Sequence, residues 1–449
     1  MIDRKYKTKE EVLSRGREAI GMTFREMDQT HRLGIGKGAV GSVVEESWFG
    51  YNVNSDTEPD FAEAGVELKV TPYLKTRKGI RAKERLVCNI INYMEEYKKT
   101  LHSSSFWKKC NTMLIMSYEH IDDVDKGDFT IDEAVLFSFP VEDMLIIEQD
   151  WECIISKVRE GKAHEISEGD TLYLGACTKG ATAASSLRQQ PFSATLAKQR
   201  AYSLKQSYMT YIFNSYIFGE QADEHIIKDP TILLNKCFED YIFEQIVPYI
   251  GWSQMALMCE FDIESGPKNV NEIILARMLD VRGKITATDE FQKANIIPKT
   301  IRIQRNGRIK ESMSFPGFRF LDIIQEEWED SSLKNYLEPS KFLFVIFKEN
   351  VAGDYVFERV KFWNIPADDL DEVRKVWECT VQTIRDGVKL EHDGYVTRNN
   401  LPKQSENRVA HVRPHARDAS DTYPLPDGRE MTKQCFWFNN SYVSSIIAE

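Results

Sequence analysis

Three short motifs occur twice in this chain, in the same order and about 230 residues apart. The pairs are Trp151-Glu152-Cys153 with Trp377-Glu378-Cys379, the strand-like run 112–116 with the run 341–345, and Lys198-Gln199 with Lys433-Gln434. Such long spacing predicts a duplicated domain rather than a short solenoid repeat. A chain of 449 residues also suits two domains of about 200 residues each better than one core. We expect a first domain over residues 1–220 and a second over residues 232–449, with the boundary near the polar segment 219–224.

The composition is that of a globular protein and narrows the functional classes. No apolar run approaches the roughly 20 residues that span a bilayer, and the charged start of the sequence has no apolar signal region. The eight cysteines form no Cys-x-x-Cys pair, which disfavours a zinc site and a disulfide framework. We therefore expect a cytoplasmic protein.

The formal net charge of −12 does not exclude DNA binding, because phosphate binding depends on local patches rather than on the mean charge. Residues 398–417 hold several cations against a single acid. Residues 171–219 contain no Asp or Glu at all. The cations of this second window are Lys179, Arg188, Lys198, Arg200 and Lys205. Both windows indicate nucleic-acid binding, and the alternative of a solvated basic surface stays open.

One stretch, residues 59–70, joins an acid to Glu-x-Lys on an apolar run. We expect a strand from Val66 to Thr71, so that Glu67 and Lys69 leave the same face. Phosphodiester hydrolysis needs a nucleophilic water and charge relief on the phosphate, and Mg²⁺ suits both because it binds carboxylates while keeping several waters. We assign Asp60 and Glu67 as magnesium ligands. Lys69 then orients the attacking water and stabilises the pentavalent charge.

Taken alone, Glu-x-Lys is a weak signal, because short motifs recur by chance. Glu96-Tyr97-Lys98 and Glu160-Gly161-Lys162 match it too, and we interpret both as surface residues on helices. The wider pattern of helix-like and strand-like runs is a mixture and predicts an α/β class. Helices are expected over residues 8–20 and 84–100, and further strands over residues 112–118 and 134–139.

With its Glu-x-Lys strand the chain resembles the MutH-like DNA nucleases, and within them the two-domain restriction endonucleases that cut GATC. Gly65-Val66-Glu67-Leu68-Lys69 is similar to the family's catalytic strand, and Lys37-Gly38-Ala39-Val40-Gly41 followed by Glu45 to its first loop and helix. The resemblance implies two tandem restriction-endonuclease-like domains, each a mixed β-sheet flanked by helices. It makes Glu45 an auxiliary carboxylate, with Glu46 as a rival, and Lys109 a further active-site lysine.

The resemblance extends into the acid-poor window. Leu174 to Gly180 and Arg200 to Thr210 are similar to the segments that lead into base recognition and close on DNA. Cys177-Thr178-Lys179 departs from the Arg-Pro-Lys of the mismatch-repair member, which removes one bidentate guanine contact. The family pattern makes these residues candidate DNA contacts: Lys37, Lys179, Arg200, Tyr202 and Lys205.

The second half is a degenerate copy of the first half, with substitutions at the expected catalytic positions. In the segment 290–300, Ile297 replaces the catalytic carboxylate, and Glu338 stands at the place of Lys109. Arg413-Pro414-His415 nevertheless resembles a retained recognition segment. The resemblance implies that the second domain binds DNA through Arg413 and His415 without cutting it and acts as an effector. A purely structural remnant is the alternative.

These features predict a type II restriction endonuclease that cuts both strands of DNA with Mg²⁺. The resemblance implies the palindrome GATC with cleavage before the G, and a cognate methyltransferase as the genetic partner. Because each chain has one half with a complete set of catalytic residues, we expect a monomer in solution that pairs transiently on DNA. Two alternatives remain open: a mismatch-repair-type nickase that needs a partner ATPase, and a DNA-binding regulator that does not cut.

Overall fold

The computed structural model describes residues 6–34, 38–52, 58–76, 79–180, 186–219, 224–264, 269–310, 312–394 and 396–448. The candidate DNA contact Lys37 lies outside these residues. Contacts divide the chain into two compact units: the first holds residues 1–241 and 286–295, and the second holds residues 242–285 and 296–449. The domain limits expected from the sequence, at residues 220 and 232, remain a prediction. None of the described helices is both long enough and apolar enough to cross a membrane.

The first unit combines short helices with two β-sheets and a hairpin. Its strands are β1 (Glu67–Thr76), β2 (Gly79–Ala82), β3 (Leu86–Ile90), β4 (Thr112–Glu119), β5 (Glu133–Ser138), β6 (Leu174–Thr178), β7 (Leu187–Gln190), β8 (Ser193–Lys198) and β9 (Arg200–Leu204). Its helices up to residue 217 are α1 (Lys9–Arg17), α2 (Phe24–Met27), α3 (Ala39–Ser42), α4 (Tyr93–Glu96), α5 (Ser105–Cys110), α6 (Val141–Arg159) and α7 (Gln206–Tyr211), and π-helical turns at Val43–Trp48 and Ile212–Ile217 continue α3 and α7. The mixture confirms the predicted α/β class.

A four-stranded sheet of order β2-β1-β4-β5 carries the candidate site, and β1 and β4 run parallel within it. Parallel neighbours are usually covered on both faces. On one face Val66, Leu68, Leu114 and Met116 form a single core with Val12 of α1. Helix α1 starts at a capping box, which satisfies two of its first backbone N–H groups. The predicted strands at β1, β4 and β5 and the predicted helix at α1 are confirmed.

The prediction of a helix over residues 84–100 is wrong. Residues 86–90 form strand β3, and only residues 93–96 are helical there. Strand β3 pairs with β9 in a sheet of order β3-β9-β6, and its Leu86 and Cys88 are buried. A short apolar run is compatible with a buried strand or a helix, and here pairing with β9 decides between them because it satisfies the backbone hydrogen bonds.

The rest of the chain begins with helices and continues with sheets. The helices are α8 (Phe238–Ile246), α9 (Gln254–Glu260), α10 (Val270–Met278), α11 (Asp289–Ala294), α12 (Phe320–Ile323), α13 (Ser332–Leu337), α14 (Ala367–Asp386) and α15 (Asn440–Ala448). The strands are β10 (Ile296–Ile303), β11 (Met313–Phe318), β12 (Lys341–Glu349), β13 (Tyr355–Trp363), β14 (Leu390–Asp393), β15 (Val396–Asn399), β16 (Ala410–Pro414), β17 (Thr422–Pro424), β18 (Glu430–Thr432) and β19 (Gln434–Phe438). Helix α11 belongs to the first unit, whereas β10, which follows it, belongs to the second.

The strand orders of the second unit, β10-β12-β13 and β11-β19-β16, repeat the orders β1-β4-β5 and β3-β9-β6 of the first. The registers agree as well, because Glu67 is paired with Met113 and Ile297 with Phe342. The long helices α6 and α14 each follow a proline and carry a buried tryptophan at the same distance from it. The repeated sequence motifs thus correspond to a repeat of strand order and register.

Candidate active site

Strand β1 places Glu67 and Lys69 side by side. Lys69 Nζ donates to Glu67 Oε1 at 2.8 Å and to the backbone carbonyl of Cys88 at 3.4 Å. Glu67 is only 2% exposed. Burial raises the pKa of Glu67, and the negative charge of Asp60 acts in the same direction, while the ammonium groups of Lys69 and Lys109 oppose both. The contact confirms that the two side chains share a face of the strand.

A tight turn brings Asp60 back to the start of β1. The chain pairs with itself across this turn, and Gly65 within it lies in the left-handed region at φ +65°, which glycine tolerates best. The Leu68 N–H donates to Asp60 Oδ2 at 2.9 Å, and the Asp60 N–H donates to Glu67 Oε2 at 3.3 Å. The two carboxylates predicted as magnesium ligands are therefore neighbours.

Lys109, at the end of α5, approaches the other oxygen of the same carboxylate. Its Nζ lies 3.5 Å from Glu67 Oε2 and donates to the backbone carbonyl of Glu58 at 3.3 Å. Helix α5 is fixed at its start by Ser104, whose side chain accepts a backbone N–H of the first turn. Glu67 thus lies between two ammonium groups, with Lys69 on Oε1 and Lys109 on Oε2.

The structure separates Glu45 from its rival Glu46. Both oxygens of Glu46 accept hydrogen bonds from Arg32, each at 2.6 Å. Burial, followed by the negative charges of Asp60 and Glu67, raises the pKa of Glu45 to about 8. The acid whose pKa is raised by Asp60 and Glu67 is therefore Glu45, while both oxygens of Glu46 bind Arg32.

The donor set of this site fits Mg²⁺. In the part of the chain that the structure describes, no group of three or more His, Cys, Asp or Glu is arranged to hold a metal ion. Mg²⁺ does not require such a group, because it binds through one or two carboxylates and takes waters and substrate phosphate oxygens as its other ligands. Asp60 and Glu67 provide that pair. The raised pKa values of Glu67 and Glu45 reflect burial and mutual repulsion, which a divalent cation relieves.

The candidate DNA contacts of the first unit differ in exposure. Lys179 is half-buried just beyond the end of β6, and its N–H donates to the Gln199 carbonyl at 2.8 Å. Arg200 is 8% exposed and donates to the Ala176 carbonyl at 2.6 Å. Tyr202 is fully buried and Lys205 nearly so. Of these four residues, Lys179 is the one that is not buried.

Direct DNA contact by Arg200, Tyr202 and Lys205 is not supported, because all three belong to the interior. Arg200 and Tyr202 lie on β9, the central strand of its sheet, and Lys205 follows it. Lys205 Nζ donates to the Thr171 carbonyl, and its charge acts on Asp150, whose carboxylate accepts the N–H groups of residues 172–174. This network holds the start of β6 in place. A window without acids cannot reveal which of its strands is covered on both faces.

Arg413 and His415 of the second unit are exposed and lie against one tryptophan. The Arg413 guanidinium carbon is 4.4 Å from the centre of the Trp437 ring, and the His415 ring centre is 5.4 Å from it. The indole N–H of Trp437 donates to the Arg413 carbonyl at 3.3 Å. Both predicted contacts therefore reach the surface with their side chains supported by an aromatic ring.

Sequence reasoning missed two features of the first unit. Glu96 is buried rather than superficial: its carboxylate pairs with Lys99 at 2.8 Å and accepts the Ser105 N–H. Arg85, directly before β3, pairs with the buried Glu168. No local pattern marks this second pair, because its partners are 83 residues apart in the sequence.

Comparison with known proteins agrees with this geometry. Residues 49–150, which include Asp60, Glu67, Lys69 and Lys109, match the family model of the DNA mismatch repair enzyme MutH. The chain is 40% identical, over an alignment 487 positions long, to the type II restriction enzyme Sau3AI of Staphylococcus aureus, and the alignment covers 99% of each chain. The DNA mismatch repair protein MutH of Shewanella woodyi is 27% identical over 176 residues, which cover 37% of this chain and 74% of that protein. The chain therefore belongs to the MutH-like nuclease family, in its branch of type II restriction endonucleases.

Proposed function

We propose that this protein cuts both strands of DNA at the palindrome GATC, before the G, in a Mg²⁺-dependent reaction. The observation that carries the proposal is the Glu67 carboxylate, which lies beside Asp60 and between Lys69 and Lys109 on the strand of the MutH match. The recognition sequence is implied by the resemblance to the restriction branch of the family.

The chain's own residues account for charge relief on the phosphate and for orientation of the attacking water. Asp60 and Glu67 would hold Mg²⁺, which supplies charge relief on the phosphate and a more acidic water when bound. Lys69 is held by Glu67 and the Cys88 carbonyl, so its ammonium group is positioned to orient the water that attacks phosphorus. Lys109 adds positive charge where negative charge develops on the oxygens of the pentavalent phosphorus. Glu45 is the auxiliary carboxyl group of the site.

The second unit acts as an effector that binds another copy of the site without cutting it. Ile297 offers no carboxylate, and Glu338 places an acid where the first unit has Lys109. Arg413 and His415 remain exposed beside Trp437, a pairing of cations and an aromatic ring suited to DNA. A purely structural remnant would have no reason to keep these cations at the surface.

The proposed partners follow from the reaction. A cell that contains this endonuclease needs a methyltransferase that protects its own sites, and both proteins act in the cytoplasm. The protein is a monomer in solution. Because each chain has one active site, two chains pair transiently on DNA to cut the second strand. We expect single-turnover cleavage rates to rise with protein concentration. Rates that are independent of protein concentration would contradict the pairing.

One alternative is favoured by a specific observation, the match of residues 49–150 to the mismatch repair enzyme MutH. In that case the protein nicks one strand and needs a partner ATPase for activation. Purified protein alone would then leave an unmethylated plasmid uncut. Autonomous double-strand cleavage excludes this alternative.

Digestion of methylated and unmethylated plasmids with purified protein and Mg²⁺ tests the proposal. We expect linear fragments whose sequenced ends all begin at GATC, and no cutting after chelation of the metal. Fragments with ends at unrelated sequences would contradict the specificity. Intact plasmid with DNA binding retained would point to the partner-dependent nickase or to a regulator.

A further inference from the structure

Strand β6 leads into the recognition segment, residues 177–179, and packs against an ion pair between Arg85 and Glu168. The Glu168 carboxylate is buried, and the Arg85 guanidinium is partly exposed. We propose that Arg85 determines specificity in the first unit by reading a guanine of the recognised sequence, an inference that rests on the proposed sequence-specific cleavage. Arg85 directly precedes β3, and its guanidinium pairs with Glu168. The Arg85 side chain is 29% exposed and that of Glu168 is 8% exposed. The carboxylate thus anchors the cation from the protein side.

Glu168 lies directly over the strand β6. A methyl group built on Gly175 would lie 3.1 Å from Glu168 Oε2, so the carboxylate packs closely against the backbone of β6. Glu168 begins a 3₁₀ turn that is capped by Ser167, and Asp170 of the same turn pairs with Lys157 of α6 at 2.7 Å. The carboxylate is therefore held by its own segment, and it fixes the position of the Arg85 guanidinium beside β6.

Arg85 lies within electrostatic reach of the recognition segment. Burial, followed by the negative charge of Glu168, raises the pKa of the Cys177 thiol, and the positive charges of Lys179 and Arg85 oppose them. Cys177 and Lys179 are two of the three residues of the candidate recognition segment. The same small region of the first unit thus contains the segment, the carboxylate and the guanidinium.

The second unit carries its guanidinium on the recognition strand itself. Strands β9 and β19 each end two residues before a helix, which aligns them residue by residue. Cys177 of β6 pairs with Ala201 of β9, and Arg413 of β16 pairs with Cys435 of β19. In this alignment Ala201 and Cys435 coincide, so Arg413 occupies the position of Cys177.

Just before the neighbouring strand, β3 in the first unit and β11 in the second, it is the first unit that has the arginine. Leu86 of β3 pairs with Leu204, and Met313 of β11 pairs with Phe438, at the same point of the two sheets. The residue before each strand therefore corresponds, and it is Arg85 in the first unit and serine in the second. Each half thus has a guanidinium beside its recognition segment: Arg85 before β3 in the first unit, and Arg413 on β16 in the second.

A guanidinium held by a buried carboxylate suits guanine better than phosphate. Its planar fork matches the O6 and N7 acceptors of guanine in the major groove, and a carboxylate behind it fixes the plane of that fork. A lysine at the same place would keep the charge but lose the fork. This difference separates base reading from simple charge attraction.

The test is single-turnover cleavage by full-length protein with Mg²⁺, which reports on the first unit because only that unit has the catalytic carboxylate. The substrates are a duplex with one GATC site, the same duplex with 7-deazaguanine at the site, and a duplex with the guanine replaced. We expect Arg85→Ala to lower the single-turnover rate constant on GATC, at subsaturating protein, about 10- to 100-fold and to make that rate insensitive to 7-deazaguanine, since a good bidentate contact is worth about that factor. Arg85→Lys should not restore the discrimination.

The matched control is Arg81→Ala, because Arg81 is an exposed arginine on β2 that contacts Gln206. If Arg85→Ala does not fold, the double variant Arg85→Met, Glu168→Gln removes both charges of the pair and must show the same loss of discrimination. Full rescue by Arg85→Lys, or equal weakening on all three duplexes with the salt dependence reduced by about one phosphate contact, would overturn the inference. Wild-type protein without preference for GATC would overturn the proposed function as well.

Discussion

Ile297 stands in its strand pair at the position that Glu67 occupies in the first unit. Each lies opposite the second residue of the neighbouring parallel strand, which is Phe342 in one case and Met113 in the other. An aliphatic side chain can neither bind a cation nor position a water. The register therefore explains, at a single position, why we assign cutting to the first unit alone.

Restoring a carboxylate at position 297 alone should not make the second unit catalytically active. We expect Ile297→Glu, made in a Glu67→Gln background, to leave plasmid nicking absent. Glu338 stands where the first unit has Lys109, so the restored carboxylate would still lack that cation. Long incubation with Mg²⁺ and supercoiled plasmid measures this. Recovery of nicking in the double variant would show that the side chain at position 297 was all the second unit lacked.

Two adjacent acids should respond differently to the same change. We expect Glu45→Gln to lower the rate of cleavage about 10- to 100-fold, as the loss of a supporting group at a metal site typically does. Glu46→Gln should leave the rate near that of the wild type, because Glu46 is bound by Arg32. Single-turnover rates at saturating Mg²⁺ give the comparison. A larger loss in Glu46→Gln than in Glu45→Gln would reverse the assignment.

Acid should destabilise the second unit through His411. Burial lowers the pKa of His411 below its usual 6.5, the charge of Arg413 acts in the same direction, and the contact with Asn439 at 2.7 Å opposes both. The unfolded chain therefore takes up a proton first as the pH falls below about 6.5, and the stability present above that pH is lost. Melting temperatures between pH 7 and pH 5 should fall more steeply for the wild type than for His411→Gln. Parallel curves would contradict this account.

A buried ion pair should stabilise the first unit. Lys293 Nζ lies 2.8 Å from Asp143 and 3.3 Å from Asp289, and all three side chains are at most 3% exposed. Lys293→Met leaves two buried carboxylates without their cation, so we expect a loss of about 3–5 kcal/mol in the free energy of unfolding. Urea denaturation measures it, with Lys284→Met on an exposed lysine as the control. A loss no greater than that of the control would show that the pair contributes nothing.

Sequence reasoning succeeded where chemistry follows local spacing. Strand alternation alone placed Glu67 and Lys69 on one face, and the 2.8 Å contact between them follows from it. It failed where the outcome depends on distant partners. Tyr202 and Lys205 lie in a cation-bearing window, yet pairing of β9 on both sides buries them.

Neighbouring residues and short apolar runs posed a similar difficulty. Helical phase could not choose between Glu45 and Glu46, and the choice came from Arg32, which binds one of them. Residues 86–90 could have been helical, and their pairing with β9 made them a strand. The pair of Arg85 and Glu168 had no sequence signal, because only the folded chain brings the partners together.

The most direct test of the active-site assignment is the single-turnover rate of cleavage of a GATC duplex by Glu67→Gln at saturating Mg²⁺. Glu63→Gln, an exposed acid in the same turn, is the matched control. Removal of a group that acts on developing charge typically costs about 10²- to 10³-fold, and loss of a metal ligand should cost at least as much. We therefore predict no measurable cleavage by Glu67→Gln, retained DNA binding, and a control close to the wild type. Cleavage by Glu67→Gln at the wild-type rate would contradict the assignment of this site.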